Sequence, residues 1–204
     1  MELYLPIIVT VNNKEYPIRN KCDFRVVIQT LQCINDKELD NENQIKCALY
    51  NFYQEIYDKI NSSEDIPKAI TEWEISELDI ALSDEMMNII NIYEEPDVNE
   101  PQKPKVLDWE HDYNEITSAV SAVVGYSVRD KDNYTHWFDF IGAFNNIRPE
   151  CSWANIVSVR LKKMKGKKLE KYEQEFYNEN RKKINLPVDI SSEEQEWLDS
   201  DWQI

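Results

Sequence analysis

The chain has 204 residues, 42% hydrophobic and 11% aromatic, with a net charge of −16. A chain this long buries roughly 70% of the surface it exposes when unfolded, so it supports a packed core. Its composition argues against disorder, and its charge against non-specific binding to nucleic acid or anionic membranes. The three glycines, Gly125, Gly142 and Gly166, are too few for phosphate-cradling loops, Rossmann fingerprints or a large β-sandwich.

The charge is unevenly placed. Residues 64–112 carry fifteen Asp or Glu and three Lys, while residues 160–183 carry ten Lys or Arg and four Glu. The tail from Asp189 to Asp201 has six acids and no base. Such runs are ordinarily solvated helix faces; the sharper alternative is a basic arm that meets an acidic partner or the chain's own acidic segment. Cys22, Cys33, Cys47 and Cys151 show no metal-ligand spacing and read as reduced, buried small hydrophobes in a cytoplasmic protein. The opening residues lack the basic region of a signal peptide, and no run approaches the roughly 20 apolar residues of a membrane span.

In chain order, residues 3–18 predict a β-hairpin. Ile7, Val9 and Val11 alternate along the first strand, Tyr16 and Ile18 lie on the second, and Asn12-Asn13-Lys14 forms the turn. Pro6 and Pro17 keep the strands short or at an edge. Asp23 caps a helix over 24–34 with Phe24, Val27, Ile28, Leu31 and Ile34 on its apolar face. A second helix runs from Asn41 or Asn43 to about Ile60 on an uninterrupted stripe that includes Leu49, Phe52, Tyr53 and Ile56. Asp65 caps a third, with Pro67 in its first turn, and a fourth runs from about Leu78 or Asp84 to Tyr93.

Residues 94–105 hold Pro96, Pro101 and Pro104 with several acids and read as a linker or surface loop. The expected organisation is therefore hairpin and helices over 1–95, linker over 96–106, a helical part over 107–187 and an acidic tail over 188–204. Asp108 caps the first helix of the later part, which Gly125 stops. Asp130 or Asp132 starts the next, with Trp137, Phe140, Ile141, Phe144 and Ile147 on one face. Ser152 caps a helix whose face carries Trp153, Ile156, Val157, Arg160, Leu161 and Met164. Lys165-Gly166 breaks it. Residues 169–183 are helical by propensity, anchored by Tyr172, Phe176 and Tyr177. Ser192 and Gln195 make a capping-box pattern for a last acidic helix with Trp197. The fold class is mainly α, six to eight helices with an N-terminal β-hairpin.

The best catalytic candidates are Asp108, Glu110, His111, Asp112 and His136, since carboxylates and imidazoles together bind metals or move protons. Asp108 meets His111 or Asp112 at helical spacing, but that spacing is equally an N-terminal carboxylate pattern favoured by the helix dipole. His136, beside Trp137, reads as an imidazole in an aromatic cluster that donates to a carboxylate such as Asp112 or Asp139 and fixes helix packing. No nucleophile elbow or Walker pattern is present. No catalytic, cofactor-binding or metal residue is assigned.

The second half carries a specific pattern: Asp108-Trp-Glu-His-Asp112-Tyr113, Ile116, Ala119, Tyr126, Tyr134-Thr-His136-Trp137, Phe140, Phe144, Ile147 and Ile156-x-x-x-Arg160. This resembles the "gene product fifteen" family of bacteriophage proteins, from long-tailed phages and prophages of Gram-positive bacteria. Lys14-Glu-Tyr-Pro-Ile18 and Asp23-Phe24-Arg25 are similar to that family's start. Phe138 stands where the family often has a second Trp, Thr135 where it often has Leu, and the tail after Pro187 lies outside the pattern. The resemblance implies a non-enzymatic tail assembly chaperone that binds the tape-measure protein and other tail proteins, with self-association open, in the host cytoplasm. Rival readings are a structural tail component, a DNA-contacting regulator using the 160–183 arm, and a metal enzyme at His111 and His136.

Overall fold

A computed structural model describes residues 5–91 and 106–187. The chain is mainly α, with ten α-helices and one two-stranded antiparallel sheet among the described residues. These residues form two compact units, one from 5–91 with 115–148 and the other from 106–114 with 149–187. The predicted linker, except Val106, and the acidic tail with its capping box lie outside the described residues.

In the first unit β1 (Ile8–Val11) pairs with β2 (Lys14–Pro17), from Ile8 opposite Pro17 to Val11 opposite Lys14. The loop is thus two residues, Asn12 and Asn13, and Lys14 belongs to the strand. Both asparagines have positive φ, 51° and 61°, as a type I′ turn requires. Val9, Val11 and Tyr16 are buried, while Ile8 and Thr10 face outward. The sheet packs with β1 on α5 (Glu77–Ile90) and β2 on α3 (Gln54–Asn61).

Asp23 caps α1 (Phe24–Ile34), its carboxylate accepting the Arg25 amide at 3.0 Å. Asp40 caps α2 (Asn41–Phe52) through the Asn43 amide. The expected continuous helix to Ile60 is two helices. Tyr53 is extended, with φ −99° and ψ 128°, and forms an antiparallel bridge to Ile18. Its hydroxyl donates to the Leu82 carbonyl at 2.7 Å. Burial of the ring holds the phenol proton, pushing its pKa up. Apolar periodicity continues through residue 53, so the tertiary bridge overrides a local preference worth only tenths of a kcal/mol per residue.

Asp65 caps α4 (Ile66–Thr71) as expected, with Pro67 in the first turn. α5 starts at Glu77, because Ser76 and Asp79 form a capping box in which each side chain accepts the other's amide. α6 (Tyr113–Val124) stops at Gly125, whose φ is +82°. It starts later than expected: Asp108 caps a turn instead, accepting the Glu110 and His111 amides at 3.0 and 2.8 Å. α7 (Trp137–Asn145) also starts later than Asp130 or Asp132, and His136 is its cap.

In the second unit Cys151, rather than Ser152, caps α8 (Ser152–Met164), with its sulfur accepting the Ala154 amide at 3.4 Å. The break at 165–166 is present, with Gly166 at φ +63°. α9 (Lys171–Glu179) and α10 (Arg181–Ile184) follow. Their anchors differ from expectation, since Tyr172 is 69% exposed whereas Glu173 and Ile184 are buried. Glu173 accepts the Glu170 amide and pairs with Lys162 on α8. That ammonium holds the Glu173 carboxyl below its ordinary value.

Tyr53→Phe is expected to keep the fold and lower stability by about 1 kcal/mol, the net worth of one hydrogen bond. Tyr53→Ala is expected to lower it by about 3–5 kcal/mol through the cavity left behind. Urea unfolding of the two variants measures both.

Candidate functional site

Two buried polar clusters hold the chain's motif residues. In the second unit, α8 presents Arg160 toward its apolar side, with Trp153, Ile156 and Val159 also buried. The guanidinium forms a two-bond pair with Asp112, Nη1 to Oδ2 and Nη2 to Oδ1, each 2.7 Å. Nε donates to the Ile184 carbonyl at 2.7 Å, Nη1 also to Val106 at 3.0 Å, and Nη2 also to Lys183. All five N–H donors of the planar fork are therefore used. Asp112 further accepts the Asp108 amide at 2.9 Å. The two side chains are only 4% and 1% exposed. A pair this dry requires such complete satisfaction, because desolvation otherwise outweighs the Coulomb attraction.

The His111 ring lies 3.2 Å from the Lys183 carbonyl. The same short segment, Lys183–Ile184, thus receives both His111 and Arg160. What these residues assemble is a clamp that holds the 106–112 segment, α8 and the end of α10 together. Every donor of the arginine is engaged in holding these segments, and Asp112 accepts three bonds within the same cluster.

In the first unit His136 is fully buried. Its Nδ1 accepts the Phe138 amide at 3.1 Å, capping α7. That bond assigns the proton to Nε2, which donates to the Pro6 carbonyl at 3.0 Å. The expected acceptor, Asp112 or Asp139, is therefore not the partner: Asp112 is taken by Arg160 and the ring proton by Pro6. The main chain beside the imidazole forms an antiparallel bridge from His136 to Asp23. The Phe24 amide donates to Thr135 and the Trp137 amide to Cys22, both at 2.9 Å. Phe24 stacks on Phe140 with ring centres 4.2 Å apart. Asp23 takes two bonds from Arg25, at 2.7 and 2.8 Å, and the Thr135 amide at 3.3 Å. Arg25 continues to the Asn133 carbonyl at 2.8 Å.

Before the bridge the chain makes a left-handed turn without glycine. Asn20, Lys21 and Cys22 have φ of 49°, 56° and 60°, and the amides of 21, 22 and 23 each bond three residues back. L-residues resist this conformation by roughly 1–2 kcal/mol each, so tertiary bonds must enforce it. Two come from the motif stretch: the Trp137 amide to Cys22, and the Tyr134 hydroxyl to the Lys21 carbonyl at 2.7 Å. The Tyr134 phenol, pushed up to about 12 mainly by burial, stays a donor.

Of the sequence candidates, Asp108 and Asp112 do come together, as a turn cap and an ion-pair acceptor. His111 and His136 have separate partners. Among the described residues no group of three or more His, Cys, Asp or Glu side chains could hold a metal ion, and no buried side-chain nitrogen or oxygen lacks a partner. Arg160, expected both on the face of its helix with Trp153 and Ile156 and at the start of the basic arm, is the centre of the clamp, a role the sequence reading does not assign it. The signal was present, since Arg160 falls at i+4 from Ile156 on the apolar face of α8. No helix among the described residues is long and apolar enough to cross a membrane.

In this mainly helical chain the motif residues Asp112, His136 and Arg160 are engaged in packing and capping. The family model described as Bacteriophage Gp15 protein matches residues 1–186. The chain belongs to that bacteriophage family, which is not a known enzyme family. Neither the curated proteins nor the solved structures yielded a match.

Asp112→Ala and Arg160→Met are each expected to lower stability by about 3–5 kcal/mol, because each leaves a buried charge unpaired. The double variant Asp112→Leu with Arg160→Met is expected to lose less than the sum, and a double-mutant cycle by urea unfolding reads the difference. Similarly, His136→Ala is expected to lower stability by about 2–4 kcal/mol through the lost cap and cavity. His136→Asn, which retains a capping oxygen, is expected to recover part of that loss in the melting temperature.

Proposed function

We propose that this protein is a tail assembly chaperone that acts in the host cytoplasm, binding the tape-measure protein while the tail tube forms. Membership of the phage family over residues 1–186 carries the reading. Two physical features support it. A net charge of −16 suits a soluble protein that must keep a long helical partner from aggregating. Also, the hairpin and its approach expose Leu5, Ile7 and Ile8, and α5 exposes Ile80, apolar side chains of the kind such a partner contacts. The DNA-contacting reading of residues 160–183 is weakened, since Arg160 is enclosed with Asp112 and Lys162 is paired with Glu173.

The test is co-expression with the tape-measure protein of the same phage or prophage. The expected outcome is a soluble tape measure that co-purifies with this chain, and a chain absent from mature particles by mass spectrometry. A tape measure that stays insoluble and does not co-purify rejects the chaperone reading. Stoichiometric presence in mature tails points instead to a structural component.

A further inference from the structure

The packing of α1 on α2 places two of the four cysteines together. Cys33 sits in the last turn of α1 and Cys47 in the middle of α2. The Asn51 amide nitrogen touches both positions, donating to the Cys33 sulfur at 3.1 Å and to the Cys47 carbonyl at 3.0 Å. α1 and α2 pack directly on each other, which sets the Cys33 sulfur beside the Cys47 main chain. Both are half-buried, within reach of a small solute, whereas Cys22 is wholly buried and the Cys151 sulfur caps α8.

We propose that Cys33 and Cys47 are a redox-active dithiol that a peroxide-class oxidant closes into an intramolecular disulfide, fastening α1 to α2. The thiolate is the nucleophile in this chemistry. The neighbouring Cys33 thiol brings the Cys47 pKa down to about 7 against the opposing effects of burial and Asp36, while Cys33 itself is raised. Cys47 therefore attacks first. Its sulfur bonds to a peroxide oxygen, the O–O bond breaks, and the departing oxygen takes a proton to leave as water, with Cys47 a sulfenic acid. Cys33, deprotonating as it reacts, then bonds to the Cys47 sulfur, and the S–O bond breaks to release a second water. Two thiols lose two electrons and the peroxide gains them. The remaining cysteines are unsuited to the reaction, Cys22 because burial pushes its thiol up to about 12.

The experiment treats the full chain with a small excess of hydrogen peroxide, followed by peptide mapping without reduction. The expected result is a Cys33–Cys47 linked peptide in the monomer, lost on adding dithiothreitol. The oxidised chain should melt several degrees higher, since the link closes a loop of about 15 residues. In Cys33→Ser, dimedone is expected to trap a sulfenic acid at Cys47; in Cys47→Ser, position 33 should remain unlabelled under the same exposure. Links through Cys22 or Cys151, links only between molecules, or oxidation to sulfinic acid without a link would each overturn the proposal. The wild-type map decides the matter even where a serine variant fails to fold.

Discussion

A short main-chain bridge between Asp23 and His136 is the constraint on which the larger unit depends. It joins positions more than a hundred residues apart, so its formation requires the intervening helices to have returned the chain to its start. Around it the side chains agree with the backbone. Asp23 caps α1 and accepts from residue 135, while His136 caps α7 and reaches back to Pro6. Phe24 and Phe140, the first residue of one helix and the fourth of the other, stack beside the bridge. Three left-handed residues before it are tolerated because these bonds over-determine the path.

The smaller unit uses charge for the same purpose. Arg160 gathers three carbonyls and a carboxylate from segments that share little local structure. An apolar residue of similar volume could fill the space, but only a fork with five donors satisfies those carbonyls at once. Both clusters draw on residues of the sequence pattern that resembles the phage family, namely Asp23, His136, Asp112 and Arg160. The pattern therefore marks the architecture.

Much of the helical architecture was legible in the sequence because it rests on local physics. Asp23 and Asp65 cap helices where a short acceptor precedes an apolar repeat, Gly125 stops a helix where φ must be positive, and Asn12-Asn13 turns a hairpin. Starts were misplaced where several polar residues competed. Asp108 and Asp130 both precede good helical sequence, yet the helices begin at Tyr113 and Trp137, because residues 109–112 close a turn and residues 133–136 are engaged with α1 and its cap. At Tyr53 no local signal opposes the helix, and only the bridge to Ile18 and the hydroxyl bond to Leu82 divide it.

The stretch from Tyr134 to Phe140 is the clearest case of both kinds of information. Its sequence alone determined that it holds a helix with an aromatic core face, and that His136 takes part in the packing. Only the tertiary structure decided how. The imidazole's acceptor is a backbone carbonyl, invisible in a sequence because every residue carries one, and Asp112, the carboxylate expected there, pairs with an arginine from a later helix. Periodicity reports which face of an element is apolar. It carries no information on which distant donor meets which acceptor, since that depends on how the elements close on one another.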